Sequence, residues 1–464
     1  MNATVPGQAP SAFSSLVHAN REAALPRSGL YPAPEHYSEA YTALHHQHTL
    51  AACRTGGALR PLGLLVQVPF CRSLCRHCSR DTLITHEPQR LDRYLGTLRQ
   101  ELQLVADMLA APTPLLQLHL GGGTPTLLKP QQLAPLLEQI HSTFPPASEL
   151  RPSIEVDPRH ATPARLKELA QLGFRTLYVT LPDIDAVVQE ALDRRVARLT
   201  PDLIIHTARL SGFQEIRIEV LAGLPHQTPH GLQRLLRRLV DAGPDGIRLS
   251  SYWHQPHLHP AQRLIDPATL ADGDALLRAA RHQLLQAGLH HLGLDRFVPS
   301  SSTLRRASLE GRLRLDCLDY QAGPEVDRIG LGLGAISRVG RSHAQNTRDL
   351  QTYADSVAGR LLPIRRGHVM SADDLARHAI IQGLFCQGEV DFQALAEDHL
   401  LDVTTHFRHE WRELEALAKR GWIWLEADGF GATASGRFEL PRIAAVFDRY
   451  GRSTRQWLLQ AESS

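Results

Sequence analysis

Between Leu64 and Ser251 the sequence alternates short apolar runs with longer amphipathic stretches, and this rhythm leaves few folds open. The strand-like runs are Leu64–Pro69, Leu115–Leu120, Ser153–Val156, Thr176–Leu181, Glu215–Leu221 and Gly246–Ser251. The stretches between them, such as Leu91–Leu109 and Gln131–Thr143, repeat their apolar residues at helical spacing. Each gap is long enough for a helical crossover, so the strands are expected to lie parallel. The result is an α/β fold: a partial or complete parallel β/α barrel, with a doubly wound open sheet as the competing arrangement. Both arrangements bind ligands at the carboxyl ends of the strands. The segments that follow the runs are rich in glycine and polar residues, namely Cys71–Cys78, Gly121–Thr124, Asp157–Arg159 and Gly223–Thr228.

The flanks differ in character. Residues 1–60 are rich in Ala, Pro, Ser and His and read as an irregular N-terminal arm with a short helix over Tyr37–Gln47. Residues 61–368 form the β/α core, which also holds the glycine-rich segment Gly330–Ala335. From 369 to 464 the pattern becomes helical (Asp373–Phe385, Phe392–Leu400, Thr404–Lys419). A hairpin turning at Asp428-Gly429 follows, giving a small, mainly helical, winged-helix-like domain. Hydrophobic residues make up 43% and charged residues 21%, which excludes a disordered chain. Fifty Lys and Arg face 48 Asp and Glu, a balance that gives no reason to expect nucleic-acid binding by the winged-helix-like part. No apolar run is long enough for a membrane span, and the N-terminus does not read as a secretory signal. The expectation is a cytoplasmic monomer.

Six cysteines are too few for a disulfide scaffold, and three of them crowd one loop: Val68-Pro-Phe-Cys71-Arg-Ser-Leu-Cys75-Arg-His-Cys78. Soft thiolates favour zinc or an iron–sulfur cluster. A closed zinc site needs a fourth ligand, which here could come only from His77 or a distant residue. A four-iron cluster held by three thiolates leaves one iron open to a small molecule. Gly121-Gly122-Gly123-Thr124 allows close backbone approach to a ligand, or is simply a tight turn. Glu155 alternates with Ile154 and Val156, so it points into the barrel, either for use or for an ion pair with Arg159 or Arg217. Arg194 stands beside Arg195 and could equally be solvated. His254, His257 and His259 cluster in a chain with 25 His, so metal or haem ligation there stays open.

The C-x3-C-x2-C loop resembles that of the radical S-adenosylmethionine superfamily. One branch is matched over about Leu25 to Tyr450: the oxygen-independent coproporphyrinogen III oxidases. The resemblance is carried by Val68–Cys71, His119-Leu-Gly-Gly-Gly-Thr-Pro-Thr126, Ile154–Arg159, Gly223-Leu-Pro, Gln227-Thr-Pro229, Ala335-Ile-Ser337 and Ala344-Gln-Asn346. It implies a [4Fe-4S] cluster on Cys71, Cys75 and Cys78, with S-adenosylmethionine chelating the open iron. It further implies that Gly121, Gly122, Gly123 and Thr124 meet the methionine amino group, Glu155 the ribose hydroxyls and Arg194 the methionine carboxylate. Glu219 stands where the family has an aspartate that belongs to the same cofactor site. The implied reaction is oxidative decarboxylation of the propionates of coproporphyrinogen III to vinyl groups in haem biosynthesis, with a one-electron reductant protein as partner.

The substrate side departs from the family. Leu65 stands where the family has a tyrosine near the reacting centre, and Gln67 where it has a histidine. His77 replaces an aromatic residue, Arg80 a cysteine, and Pro182 a glutamine. A cluster-bearing relative that carries haem or another tetrapyrrole without oxidising it, or that acts on a different substrate, is therefore the alternative reading.

Overall fold

The computed structural model describes residues 29–52, 60–109, 113–194 and 199–451. Six strands carry the expected core: β1 (Leu62–Val68), β2 (Leu115–Gly122), β3 (Ser153–Val156), β4 (Thr176–Thr180), β5 (Glu215–Ala222) and β6 (Gly246–Ser251). The hairpin β7 (His290–Gly293) and β8 (Arg296–Val298) follows. After it come β9 (Asp327–Leu331), β10 (Ile336–Val339), β11 (Ser342–Asn346) and β12 (Ile364–Val369). All belong to one sheet in the order β12-β11-β10-β9-β1-β2-β3-β4-β5-β6-β8-β7. Strands β9 and β1 to β6 are parallel, and both margins are antiparallel. Strands β1 to β6 lie side by side in chain order, with no reversal. That excludes the doubly wound arrangement and leaves a partial barrel whose two margins, among the described residues, do not pair with each other.

The helices α1 (Pro88–Met108), α2 (Pro130–Thr143), α3 (Pro163–Gln171), α4 (Pro201–Ser211) and α5 (Pro229–Ala242) each begin on a proline. Proline suits that position because its fixed φ is helical and its missing N–H is one the first turn cannot bond anyway. In α5 the Thr228 hydroxyl accepts from Gly231 N at 3.1 Å, and Gly243, at φ +67°, ends the helix. Its Leu232, Leu235, Leu236 and Leu239 are buried against the strands. Each such leucine contributes about 1.5–3 kcal/mol of burial.

Strand alternation then sorts the sheet into two faces. Leu64, Val66, Leu118, Leu120, Ile154, Val156, Ile216, Ile218, Ile247 and Leu249 pack into the helical layer. The opposite residues face inward, and register lines them up: Leu65 beside His119, His119 beside Ser153, Glu155 beside Tyr178, Tyr178 beside Arg217, and Glu219 beside Arg248. One face of the sheet is a hydrophobic core and the other a polar wall.

Helix α6 (Gly273–Gln286) lies between β6 and β7, and α7 (Ala372–Cys386) and α8 (Arg408–Lys419) follow the last strand of the sheet. A three-stranded antiparallel sheet is added by Glu389–Asp391, Ile423–Leu425 and Gly429–Ala432. The second hydrophobic core is not confined to these residues. It draws in Tyr31 from the arm and Leu292, Val298, Leu304 and Tyr320 from the preceding segment. The helix expected over Tyr37–Gln47 instead spans Ala43–Ala52. The residues before it are committed elsewhere: Ser38 bridges to Gly367, and the Tyr37 hydroxyl lies 3.0 Å from His343 Nδ1. The helix expected over Thr404–Lys419 is broken at Phe407, whose ring is buried against Phe447. Most of the N-terminal arm, residues 1–28 and 53–59, lies outside the described residues.

Asp319 ties the inner wall together. Its carboxylate is 1% exposed and accepts from Arg217 at 2.8 Å and from Arg296 at 2.5 Å. Burial pushes its pKa up, but the two guanidinium groups and Arg248 outweigh this and hold it below the usual carboxylate range. A lowered carboxylate pKa adds stability that is complete above the unfolded value, about 4, and is lost as pH falls through the folded one. Replacing Asp319 by Asn should cost about 3–5 kcal/mol in urea unfolding at neutral pH, because buried Arg296 loses its ion-pair partner and buried Arg217 keeps only Glu215. It should also flatten the loss of stability on acidification. An unchanged acid limb would contradict the assignment.

Candidate active site

The site forms where β1 and β2 leave the sheet side by side. Gly123 N donates to Val68 O at 2.8 Å, and Thr124 N donates to Phe70 O at 2.8 Å. These bonds lash the cysteine loop to the glycine loop. Phe70 is fully buried, and Phe70–Cys71 pairs in parallel with Leu83–Ile84, which closes the cysteine loop at its far end. Cys71 Sγ lies 3.3 Å from Thr124 Oγ1. Cys75 Sγ accepts from Arg159 Nη2 at 3.3 Å and from Arg194 Nη1 at 3.7 Å, and Cys78 Sγ accepts from the backbone N–H of Arg80 at 3.4 Å.

All five described cysteines are free thiols. Burial, with Cys78 and Cys75 nearby, pushes the Cys71 thiol up to about 11 against the help of Thr124, and burial raises Cys78 as well. Cys71 is therefore protonated at neutral pH until a cation compensates its charge, and loading metal must expel that proton. Among the described residues, no group of three His, Cys, Asp or Glu side chains converges tightly enough for a single metal ion. A four-iron cluster places its thiolates on separate irons and so does not ask three side chains to converge on one point. The donor set is all sulfur, as such a cluster requires.

Beside the thiols lies a cradle with room for a small ligand. A Cβ on Gly121 would come within 2.7 Å of His119 Nε2, and one on Gly123 within 2.6 Å of Phe70 O. Gly122 sits at φ +108°, and a Cβ there would collide with the Gln67 amide. Two buried nitrogens, His119 Nε2 and Arg194 Nε, have no hydrogen-bond partner, and His119 Nε2 stands 3.7 Å from Glu155. His119 is fixed from behind, its Nδ1 lying 2.8 Å from Ser153 Oγ. Asp157 aims both arginines at Cys75, pairing with Arg159 at 2.5 Å and with Arg194 at 3.3 Å. Burial raises the Asp157 pKa, but these guanidinium groups more than offset it and hold it at about 2. The unpartnered nitrogens and side-chain-free backbone suit the amino, carboxylate and hydroxyl groups of S-adenosylmethionine.

The structure thus brings Cys71, Cys75, Cys78, Gly121–Thr124, Glu155 and Arg194 to one end of the sheet. Glu219 lines the same inner cavity two strands further along, accepting from Thr180 Oγ1 at 3.2 Å and standing 3.7 Å from Arg248. Several expectations need correction. Glu155 pairs with neither Arg159, which serves Asp157, nor Arg217, which serves Glu215 and Asp319. Its partner is Arg80, whose Nη1 also donates to Gly122 O at 3.0 Å. Burial alone would raise the Glu155 pKa, but Arg80 reverses this and holds it at about 2. A ligand that takes Glu155 must share it with Arg80 or displace it. Arg194 is buried rather than solvated, and Arg195 lies outside the described residues. His254 contacts the Tyr252 hydroxyl at 3.3 Å, and its neighbours do not join it in a metal-binding group.

Sequence reading had missed His119, Asp157 and Arg159 as members of the site. The inward parity of His119 on its strand was the available signal. Gly122→Ala is expected to weaken S-adenosylmethionine binding about tenfold in equilibrium dialysis, since a non-glycine residue at positive φ costs about 1–2 kcal/mol. The cysteine loop should still assemble its cluster. Undiminished binding would remove the glycine loop from the cradle.

Residues 65–239 match the Radical SAM superfamily. Over 430 residues the chain is 33% identical to the oxygen-independent coproporphyrinogen III oxidase of Pseudomonas aeruginosa, covering 92% of this chain and 93% of that one. It is 32% identical to the enzyme of the same name from Salmonella typhimurium, with the same coverage. The solved structure of the radical SAM coproporphyrinogen III oxidase from Escherichia coli superposes with a TM-score of 0.86 at 30% identity, covering 92% of this chain and 97% of that one. With its cysteine loop, cradle and sheet order already in agreement, the chain belongs to the family of oxygen-independent coproporphyrinogen III oxidases within the radical SAM superfamily.

Proposed function

We propose that the chain catalyses the oxidative decarboxylation of coproporphyrinogen III, converting propionate side chains to vinyl groups. The observation that carries this reading is the cysteine loop and its cradle at the mouth of a cavity whose inner wall is rich in arginine. Arg217, Arg248 and Arg296 line that cavity with Tyr178. Guanidinium groups recognise carboxylates in a planar, two-pronged way, so the donors these three keep beyond their pairs with Glu215, Asp319 and Asp295 suit a substrate with several carboxylates. Each event removes one hydrogen atom from the propionate carbon next to the ring, one electron and carbon dioxide.

Cys71, Cys75 and Cys78 would hold the [4Fe-4S] cluster. Gly121–Thr124, Glu155, Arg194 and Glu219 would hold S-adenosylmethionine. Together the two groups supply the one-electron chemistry that removes a hydrogen atom from an unactivated carbon. The protein contributes position and dryness. Asp157 keeps Arg159 and Arg194 beside Cys75, where both donate to its sulfur. His119 and Glu155 hold the cofactor end of the cavity, and the apolar helical layer behind the strands keeps water out. Among the described residues, no helix is long and apolar enough to cross a membrane. The reading places the reaction in a reducing cytoplasm, in a monomer served by a one-electron reductant protein.

One observation favours a second reading, a tetrapyrrole carrier that keeps the cluster: Leu65 is buried on the inner wall, where it offers no hydroxyl to a reacting substrate. A single assay separates the two. Protein reconstituted anaerobically with iron and sulfide is given reductant, S-adenosylmethionine and coproporphyrinogen III. We expect 5′-deoxyadenosine together with vinyl-bearing product. 5′-Deoxyadenosine without vinyl product would reject the substrate. Stoichiometric haem binding with neither product would favour the carrier.

A further inference from the structure

A second cleft, about 490 Å³ in volume, opens beside the inner cavity. It lies at the same end of the sheet, between the end of β6, the β7–β8 turn, helix α6 and residues 438–442 of the C-terminal part. Arg248 lines both cavities, so the two meet at that side chain. Two arginines one helical turn apart on α6, Arg278 and Arg281, face into the cleft.

Most charges around the cleft are already committed. Asp295 accepts from Arg248 Nε at 2.8 Å and from Ser250 Oγ at 2.6 Å. Glu439 pairs with Arg442 at 2.9 Å. Asp274 lies one turn before Arg278 and has an interaction of its own. By contrast, among the described residues Arg278 and Arg281 form neither an ion pair nor a hydrogen bond. The guanidinium of Arg281 stacks 4.9 Å over the Phe438 ring, and its Nε is buried without an acceptor. Burial weighs against the Arg281 charge, and a bound anion would offset that cost. The walls that remain are aromatic and apolar, with Trp253 on one side and Phe438 on the other.

We infer that this cleft is a carboxylate-binding subsite in which Arg278 and Arg281 grip an acidic side chain of the substrate other than the one that reacts. The inference rests on the tetrapyrrole reading above. A flat macrocycle with acidic arms at its rim could place one arm on α6 and present another past Arg248 to the inner cavity. Arg278 and Arg281 are then specificity-determining residues that select a substrate by its number of carboxylates.

The test is a fluorescence titration with coproporphyrin III, the stable oxidised tetracarboxylate, and with deuteroporphyrin, a dicarboxylate. It compares the holoenzyme with the Arg278→Gln/Arg281→Gln variant and with Arg237→Gln, an exposed charge control on α5. The double variant should bind the tetracarboxylate about tenfold more weakly, as expected for loss of charge-assisted pairs. It should bind the dicarboxylate nearly as before and raise KM with kcat unchanged. Cluster absorbance and S-adenosylmethionine binding should not move, and Arg281→Lys should recover part of the loss. If the double variant does not fold, the exposed Arg278→Gln alone should still weaken tetracarboxylate binding about threefold. Wild-type protein that binds coproporphyrin III no better than Arg278→Gln/Arg281→Gln protein would overturn the subsite alone. Wild-type protein that binds neither porphyrin would overturn the tetrapyrrole reading and the subsite with it. Equal weakening by Arg237→Gln would show attraction to net charge rather than a built subsite.

Discussion

Two backbone hydrogen bonds organise the site. They run from Gly123 to Val68 and from Thr124 to Phe70, where two neighbouring parallel strands leave the sheet. They require that β1 and β2 be adjacent and parallel, and hence that a helix cross over between them. Once they form, the cysteine loop cannot move independently of the glycine loop, and the sulfur ligands stand beside a surface without side chains. The rest of the site is added around this clasp. Asp157, one residue past β3, turns Arg159 and Arg194 toward Cys75. Glu155, on the inward face of the same strand, reaches back to the glycine loop, with Gly122 N 3.3 Å from its carboxylate.

The alternation of each strand then serves two purposes. Its outward residues build a core that needs no precision beyond packing. Its inward residues build a wall of charges that would be costly if any were left without a partner. The wall stays affordable because its charges are chained: Glu215, Arg217, Asp319 and Arg296 form one connected set, and Glu219, Arg248 and Asp295 another. Among the described residues that line the inner cavity and the adjoining cleft, the guanidinium groups without an ion pair or hydrogen bond are those of Arg278 and Arg281 on α6, where the cleft is open. The charges of the wall are paired, and uncommitted positive charge stands at the open cleft beside it.

Much of this was legible in the sequence, because period-two alternation and helical spacing are local properties. Ser153–Val156 and Gly246–Ser251 emerge with the expected bounds, and the other four strands shift by at most two residues. Leu64–Pro69, for example, ends at Val68 because Pro69 has no N–H for the ladder. The cysteine spacing and the glycine loop were readable for the same reason. What escaped depended on distant partners. Arg80 was legible only as a substitution, yet it crosses 75 positions to hold Glu155. The joining of β9 to β1, and of Glu389–Asp391 to the C-terminal hairpin, is fixed by tertiary contacts that no local pattern announces. The helix displaced to Ala43–Ala52 shows the same effect, since Ser38 and Tyr37 are claimed by partners more than 300 residues away.

The central claim is that three thiolates leave one iron exposed to the cradle, and magnetic resonance tests it directly. Anaerobically reduced protein is examined before and after addition of S-adenosylmethionine labelled with ¹⁵N at the methionine amino group and ¹⁷O at its carboxylate. The account predicts a changed electron paramagnetic resonance signal and hyperfine coupling from both labels, because both groups bind the open iron. An unchanged signal without coupling to either label would contradict it.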